Sequence, residues 1–296
     1  MQTPASPLKL SPLPRRWVFP DAFDDAAADR LARELRLPPA FCRLLVQRGY
    51  GTAAQAKDFL RPHEGQQHPA SLLAGVGDAT ERLKQAIERG ETILVHGDYD
   101  VDGICSTALY VRALRLMGAR AVPFVPHRIT DGYDLSEPGI RAAVDAGARL
   151  ILTGDCGIVA HDAVEQARAR GIEVIVTDHH TPAPTLPAAV AVVNPNRADC
   201  PYPDKGLAGV GVAYKVCHAL AAAVGFPAEQ LTRFLDLVAV ATIADLAPLT
   251  AENRLLVRWG LQLLSRTPNP GLRALLQSTG LTEKETISAG QVGFVL

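Results

Sequence analysis

The middle of the chain alternates between short apolar runs and amphipathic segments. The apolar runs predict five buried strands: Thr92–His96, Ala121–Val125, Leu150–Thr153, Glu173–Thr177 and Ala189–Val193. Helical spacing of apolar residues lies between them, over Gly103–Met117, Glu137–Ala146 and His161–Arg170. This alternation is typical of a parallel sheet that is covered by helices on both faces. We therefore predict an α/β fold with a mostly parallel five-stranded sheet flanked by helices.

Helical patterns continue on both sides of this region. The preceding segments are Asp21–Leu37, Ala40–Gln47, Ala53–Leu60 and Ser71–Arg89, and the following ones are Gly209–Val224, Glu229–Thr242, Glu252–Ser265 and Gly271–Ser278. Residues 1–20 are rich in proline, which predicts a flexible arm. We expect an arm over 1–20, a small helical extension over 21–90, and an α/β domain over 91–296 whose C-terminal part is helical.

Composition narrows the class of protein. The 296 residues are 48% hydrophobic and 21% charged, which excludes a largely disordered chain. No apolar run approaches the about 20 residues of a membrane span, so no membrane partner is expected. The five cysteines show no CxxC pair, and the N-terminus has no apolar signal region, so we expect free thiols and a cytoplasmic protein. A net charge of −1 neither indicates nor excludes a nucleic-acid partner.

Acidic and histidine residues follow three of the predicted strands directly. Asp98, Asp100 and Asp102 come after the first strand, whose last residue is His96; Asp155 follows Leu150–Thr153; and Asp178, His179 and His180 follow Glu173–Thr177. Asp245 ends an apolar helix. Ligands of open α/β sheets bind beyond the carboxyl ends of the strands. We therefore expect these side chains to converge on one site.

Mixed carboxylate and imidazole ligands suit Mn²⁺, Zn²⁺ or Fe²⁺, whereas carboxylates alone suit Mg²⁺ or Ca²⁺. Two divalent ions roughly 3.5–4 Å apart would offset the buried charge, activate water and stabilise a phosphoryl group during hydrolysis. Taken singly, Asp155 could cap a helix and each histidine could be structural. An EF-hand is excluded, because position twelve counted from Asp98 is Leu109 and a strand precedes the loop.

These residues carry a family resemblance. Asp178-His179-His180 resembles the signature of the DHH phosphoesterase superfamily, with HGDYDVDG, GDCG and TIADLAPL at the positions of its other motifs. HRITDGYDLS at 127–136, LAGVGVAYK at 207–215 and the stretch around TIADLAPL resemble its RecJ branch of single-strand-specific exonucleases. The resemblance covers about residues 40 to 296. Cys156 stands where many relatives carry Asn, and Asp134 where Gly is usual.

The resemblance implies a role for each residue. One metal ion would take His96, Asp100 and Asp155, and the other would take Asp102, Asp155, His179 and Asp245, with Mn²⁺ favoured and Mg²⁺ possible. Asp98 and Asp178 would support the ligands, and His180 would contact a phosphate oxygen or serve structurally. Four further residues are candidates for substrate contact: Gly103 and Ser106 beside phosphate, Arg128 at a phosphate, and Tyr133 stacked on a base. Gly209 and Gly211 form no phosphate-binding loop, since no GK[ST] follows.

By this resemblance the chain is expected to be the N-terminal portion of a larger monomeric enzyme that releases mononucleotides from single-stranded DNA in the 5′-to-3′ direction, in DNA repair and recombination. A helicase and a single-strand-binding protein are expected partners. Two alternatives stay open. One is a phosphoesterase acting on pyrophosphate, a cyclic dinucleotide or a short oligoribonucleotide. The other is a catalytically idle scaffold.

Overall fold

The computed structural model describes residues 24–282 and 286–296. The chain divides into two compact units, Met1–Leu60 and Arg61–Leu296. The predicted arm over 1–20 and the start of the predicted helix Asp21–Leu37 lie outside the described residues.

The described part of the first unit is helical. It contains α1 (Asp25–Leu35), α2 (Pro39–Gln47) and α3 (Ala53–Leu60). Asp24 caps α1 by accepting a hydrogen bond from the Ala27 backbone N–H, which satisfies a donor that the helix itself cannot pair. A small core joins the three helices through Ala28, Leu31, Cys42, Leu45 and Ala56.

The second unit is built around one five-stranded sheet, as predicted. The strands are β1 (Thr92–Gly97), β2 (Arg120–Phe124), β3 (Ala148–Gly154), β4 (Glu173–Thr177) and β5 (Ala191–Val193). Their order is β2-β1-β3-β4-β5, and every neighbouring pair is parallel. The strand order therefore reverses between β1 and β3.

Helices cover both faces of the sheet. The core on one face includes residues of α4 (Val76–Glu88), α5 (Val101–Leu116), α8 (Gly209–Val224) and α9 (Leu235–Ala244), together with Ile93 and Val95 of β1. The core on the other face joins α6 (Glu137–Asp145) and α7 (His161–Ala169) to Leu94 of β1. Successive residues of β1 thus face opposite layers, which is why both kinds of position are apolar.

The remaining helices are α10 (Ala251–Leu264), α11 (Pro270–Ser278) and α12 (Ala289–Val295). The predicted helix Glu229–Thr242 is two elements, a 3₁₀ segment at Ala228–Phe234 followed by α9. Within the 3₁₀ segment the Thr232 hydroxyl donates to the Glu229 carbonyl oxygen at 2.7 Å, a local bond that competes with α-helical pairing.

The predicted helix Ser71–Arg89 also begins later, at Val76, after a 3₁₀ turn over Ala70–Leu72. Gly75 separates the two with φ of +79°, a conformation that interrupts a right-handed helix. The helix α4 then packs against α8 and β5. The compact unit that holds the sheet therefore begins at Arg61 rather than at Glu91, the boundary expected from the change of pattern.

No helix within 24–282 or 286–296 is long and apolar enough to cross a membrane.

Candidate metal centre

The strand order brings the predicted site residues to one edge of the sheet. Strand β1 is paired with β3, and β3 with β4, so the carboxyl ends of all three strands lie side by side. In α/β proteins, a reversal of strand order such as that between β1 and β3 creates a crevice at this edge, where ligands bind. Asp102, Asp155 and His179 lie at the start of α5, after β3 and after β4, respectively.

Three carboxylates surround the imidazole of His179. Its Nε2 atom lies 3.1 Å from Oδ1 of Asp155, 3.9 Å from Oδ2 of Asp102 and 3.8 Å from Oδ2 of Asp245. Atoms of Asp102, His179 and Asp245 lie close enough together to hold one metal ion. These are three of the four ligands expected for one ion, and Asp155, the fourth, lies against the same nitrogen.

This cluster is buried and incompletely hydrogen-bonded. Asp102 and Asp155 are each 1% exposed. Oδ1 of Asp155 and Nε2 of His179 are buried without a hydrogen-bond partner among the described residues. Burial, together with the charge of Asp100, raises the pKa of Asp155 to about 9, and burial beside Asp155 raises the pKa of Asp102 well above its usual value. Carboxylates crowded in this way fit a divalent cation, which would supply the missing charge and coordination.

His180 belongs to a second group of potential ligands, with Asp155 and His179. Its Nδ1 atom, however, lies 2.7 Å from Oδ1 of Asp178. This hydrogen bond raises the pKa of His180 to about 9. Asp178 also accepts from the backbone N–H groups of His179 and Ile158, so the predicted supporting residue orients His180 and the turn that carries both histidines.

His96 enters neither group of potential ligands found in the described part of the chain, although its Nε2 is buried there without a hydrogen-bond partner. Its ring packs against Phe124, and a Cβ at Gly139 of α6 would come within 2.5 Å of its Nε2. The reason is the alternation of β1: Leu94 faces the α6 layer, and His96, two residues later, lies against the same layer. The ligand role that the resemblance implied for His96 stays a prediction.

The turn between β1 and α5 is held by its own aspartates. Asp100 is the N-cap of α5, and its side chain accepts from the Gly103 backbone N–H at 2.9 Å. Asp98 is 2% exposed and accepts from the Tyr99 backbone N–H. Neither Asp98 nor Asp100 enters the two ligand groups identified among the described residues. Asp100 is nevertheless close enough to raise the pKa of Asp155, in addition to the effect of burial. Burial also raises the pKa of Asp245, which the nearby His179 lowers and Asp100 raises.

Two of the residues expected near phosphate are buried where α5 packs closely. A Cβ at Gly103 would lie 2.3 Å from the backbone nitrogen of Asp98, so glycine is required for the turn to close on α5. Ser106 is fully buried, and a Cβ at Gly154 would meet its side chain at 2.9 Å. Both residues let α5 approach the sheet closely, and their contact with a phosphate stays a prediction.

Arg128 and Tyr133 lie beside the cluster, joined by an aromatic residue that the sequence analysis overlooked. The Arg128 guanidinium lies 4.9 Å from the centre of the Tyr99 ring, an arrangement that favours a cation–π contact. The Tyr133 ring meets the rings of Tyr99 and His180 edge-on, at 6.2 and 6.4 Å, and Tyr133 is 49% exposed. Asp134 has φ of +71°, a conformation in which Gly is usual.

A second set of residues that sequence reasoning missed lies at the start of α8. The backbone N–H groups of Gly209 and Val210 donate to the two carboxylate oxygens of Asp102, each at 2.8 Å. The glycines of LAGVGVAYK at 207–215 could have indicated this contact from the sequence, because glycine often marks a site where another part of the chain approaches the backbone closely.

Comparison with known proteins assigns this architecture to a family. The model of the DHH family, N-terminal domain, matches residues 92–242, which run from β1 into α9. The chain is 40% identical over 265 residues to the single-stranded-DNA-specific exonuclease RecJ of Bacillus subtilis (strain 168), covering 90% of this chain and 33% of that protein. It is 42% identical over 271 residues to RecJ of Escherichia coli (strain K12), covering 88% of this chain and 46% of that protein.

Among solved structures, RecJ of Thermus thermophilus in complex with Mn²⁺ superposes with a TM-score of 0.75 at 35% identity, covering 91% of this chain and 37% of that one. The chain thus spans less than half the length of the curated relatives described above. The family match and these relatives cover the strands and turns that build the metal centre, and the chain belongs to the DHH family.

Proposed function

We propose that this chain carries the metal-dependent hydrolytic centre of a single-strand-specific DNA exonuclease acting in the 5′-to-3′ direction. The observation that carries the proposal is the buried cluster of Asp102, Asp155, His179 and Asp245. In it, Oδ1 of Asp155 and Nε2 of His179 lie 3.1 Å apart, and neither atom makes a hydrogen bond among the described residues. The names of the RecJ relatives support the substrate class.

One divalent ion would be held by Asp102, Asp155, His179 and Asp245. Asp155 would share a second ion with Asp100, which lies nearby, and with His96, as the resemblance implies. Mn²⁺ is the favoured metal because the ligands combine carboxylates with imidazole, and Mg²⁺ is the alternative. When bound, such ions lower the pKa of a coordinated water and stabilise negative charge on phosphoryl oxygens.

His180 serves this reaction as a cation rather than as a metal ligand. Its Nδ1 is already hydrogen-bonded to Asp178, and that bond raises the pKa of His180 to about 9, which favours the protonated ring. The ring lies beside Asp155, with Nδ1 3.9 Å from Oδ1. An imidazolium at this position donates a hydrogen bond to a phosphate oxygen of the strand and helps to hold the scissile group at the centre.

The side chains of Arg128 and Tyr133, beside the centre, bind the DNA strand. Arg128, held on the face of Tyr99, contacts a phosphate, and Tyr133 offers a half-exposed ring for stacking with a base. Such contacts are typical of single-strand binding, since every base has a face that can stack. A role in DNA repair and recombination, a helicase or single-strand-binding partner, a monomeric state and a cytoplasmic location stay predictions from the sequence.

The test uses single-stranded DNA oligomers labelled at the 5′ end in one batch and at the 3′ end in another, incubated with the chain and Mn²⁺. We expect immediate release of a labelled mononucleotide from the 5′ batch and a shortening ladder from the 3′ batch, with both lost in Asp155→Ala. Equal cleavage by Asp155→Ala would contradict the metal centre. Hydrolysis of pyrophosphate, a cyclic dinucleotide or an oligoribonucleotide, without release from DNA, would favour the small-molecule alternative.

A further inference from the structure

The carboxylate of Asp102 is held by the first turn of α8 from a position 107 residues away in sequence. Oδ2 accepts from the Gly209 backbone N–H and Oδ1 from the Val210 backbone N–H, each at 2.8 Å. The first N–H groups of a helix have no partner within the helix and carry partial positive charge. Each oxygen of a carboxylate has two acceptor positions, so the two amides fix the orientation of Asp102 and leave one position per oxygen for a metal ion.

Gly209 also touches the other buried carboxylate. A Cβ built on Gly209 would lie 2.5 Å from Oδ1 of Asp155 and 2.8 Å from its Cβ and Cγ. That oxygen is the one that faces Nε2 of His179. The absence of a side chain therefore lets a single residue donate to Asp102 while lying in contact with Asp155.

Buried polar contacts tie the middle of α8 to its surroundings at Lys215. Lys215, one turn and a half further along the helix, is 4% exposed and forms an ion pair with the fully buried Glu252 of α10. Lys215 Nζ also donates to the His68 carbonyl oxygen at 2.9 Å, and the Tyr202 hydroxyl donates to Glu252. A helix anchored in this way cannot shift without breaking buried polar bonds, so its first turn is a rigid support.

We propose that Gly209 is a positioning residue of the metal centre and that the first turn of α8 sets its affinity for metal. The two amides orient Asp102, and the missing side chain allows Asp102 and Asp155 to face the same ion. This inference rests on the metal centre of the proposed function and adds to it an element that contributes no ligand of its own.

The test compares two alanine substitutions on the same helix. Gly209→Ala places a methyl group against Asp155, whereas Gly211→Ala places one 2.7 Å from Cδ1 of Leu207, which belongs to neither ligand group. The affinity of each variant for Mn²⁺ is measured by electron paramagnetic resonance titration, and its unfolding by urea without metal. Partners that orient metal ligands are worth about 10- to 100-fold in affinity. We expect Gly209→Ala to weaken Mn²⁺ binding at least tenfold and Gly211→Ala to keep it within twofold.

A second variant tests the amides directly and serves if Gly209→Ala fails to fold. Val210→Pro removes the donor to Oδ1 of Asp102 at a helical position that tolerates proline. Weaker Mn²⁺ binding by this variant supports the proposal. Wild-type affinity in either Gly209→Ala or Val210→Pro, or equal weakening in Gly211→Ala, overturns it. If the wild-type chain itself binds no Mn²⁺, the proposed metal centre fails, which is a distinct result.

Discussion

Nε2 of His179 lies 3.1 Å from Oδ1 of Asp155, yet neither atom has a hydrogen-bond partner among the described residues. Buried polar atoms are almost always paired, because an unpaired one costs about 1–3 kcal/mol. The two atoms also belong to the side chains that β3 and β4 carry to the crevice. Their arrangement is the strongest indication that this edge of the sheet holds a cation.

Asp155→Asn should abolish Mn²⁺ binding while leaving the protein folded. Burial and the charge of Asp100 already disfavour the anionic form of Asp155, so a neutral amide of the same shape relieves repulsion in the metal-free protein. Mn²⁺ titration followed by electron paramagnetic resonance, with a thermal melt, measures both effects. Asp162→Asn, at an exposed aspartate in the first turn of α7, is the matched control and should bind Mn²⁺ like the wild type.

Lys215→Met should lower the free energy of unfolding by about 3–5 kcal/mol, because it leaves the carboxylate of Glu252 buried without its cation. Lys84→Met is the matched control. Lys84 pairs with Glu88 one turn away on the surface of α4, where such a pair contributes about 0.5 kcal/mol or less. Urea denaturation of both variants provides the comparison, and similar losses in the two would contradict the buried ion pair.

The stability of the protein should fall between about pH 6.5 and pH 4, with a contribution from His218. Burial and the nearby Lys215 lower the pKa of His218 from 6.5 to about 4, so the folded state binds its proton less readily than the unfolded state. The stabilising contribution is therefore complete above pH 6.5 and lost as the pH falls, by at most about 3 kcal/mol. His218→Gln should flatten this part of the curve in urea unfolding measured against pH. An unchanged slope would show that His218 titrates normally.

Tyr99→Leu should raise the KM for single-stranded oligomers while leaving kcat nearly unchanged. The Tyr99 ring supports the Arg128 guanidinium, and a cation–π contact at an exposed site contributes about 0.5–1 kcal/mol, or roughly two- to fivefold in binding. Tyr99→Phe keeps the ring face and should behave like the wild type. An equal rise of KM in both variants would show that the hydroxyl group, rather than the ring, is required.

Much of the fold and of the site could be predicted from the pattern of residues. The five strands are recognisable because a sheet covered on both faces needs apolar side chains at successive positions, as Ile93, Leu94 and Val95 show. The cluster is recognisable because parallel strands place their carboxyl ends together, so that Asp155 and His179 had to meet. For these features, local chemistry and strand direction are sufficient.

Other features depended on tertiary structure. Which layer His96 faces is set by the packing of α6 through Gly139, and the strand pattern alone does not say which side of the sheet that helix takes. The two donors to Asp102 are backbone amides, which every residue except proline carries, so residue type cannot mark them. Only the packing of α8 against the sheet brings its first turn to the carboxylate. The residue pattern thus predicts the candidate ligands, whereas the packed fold supplies the backbone amides that hold Asp102.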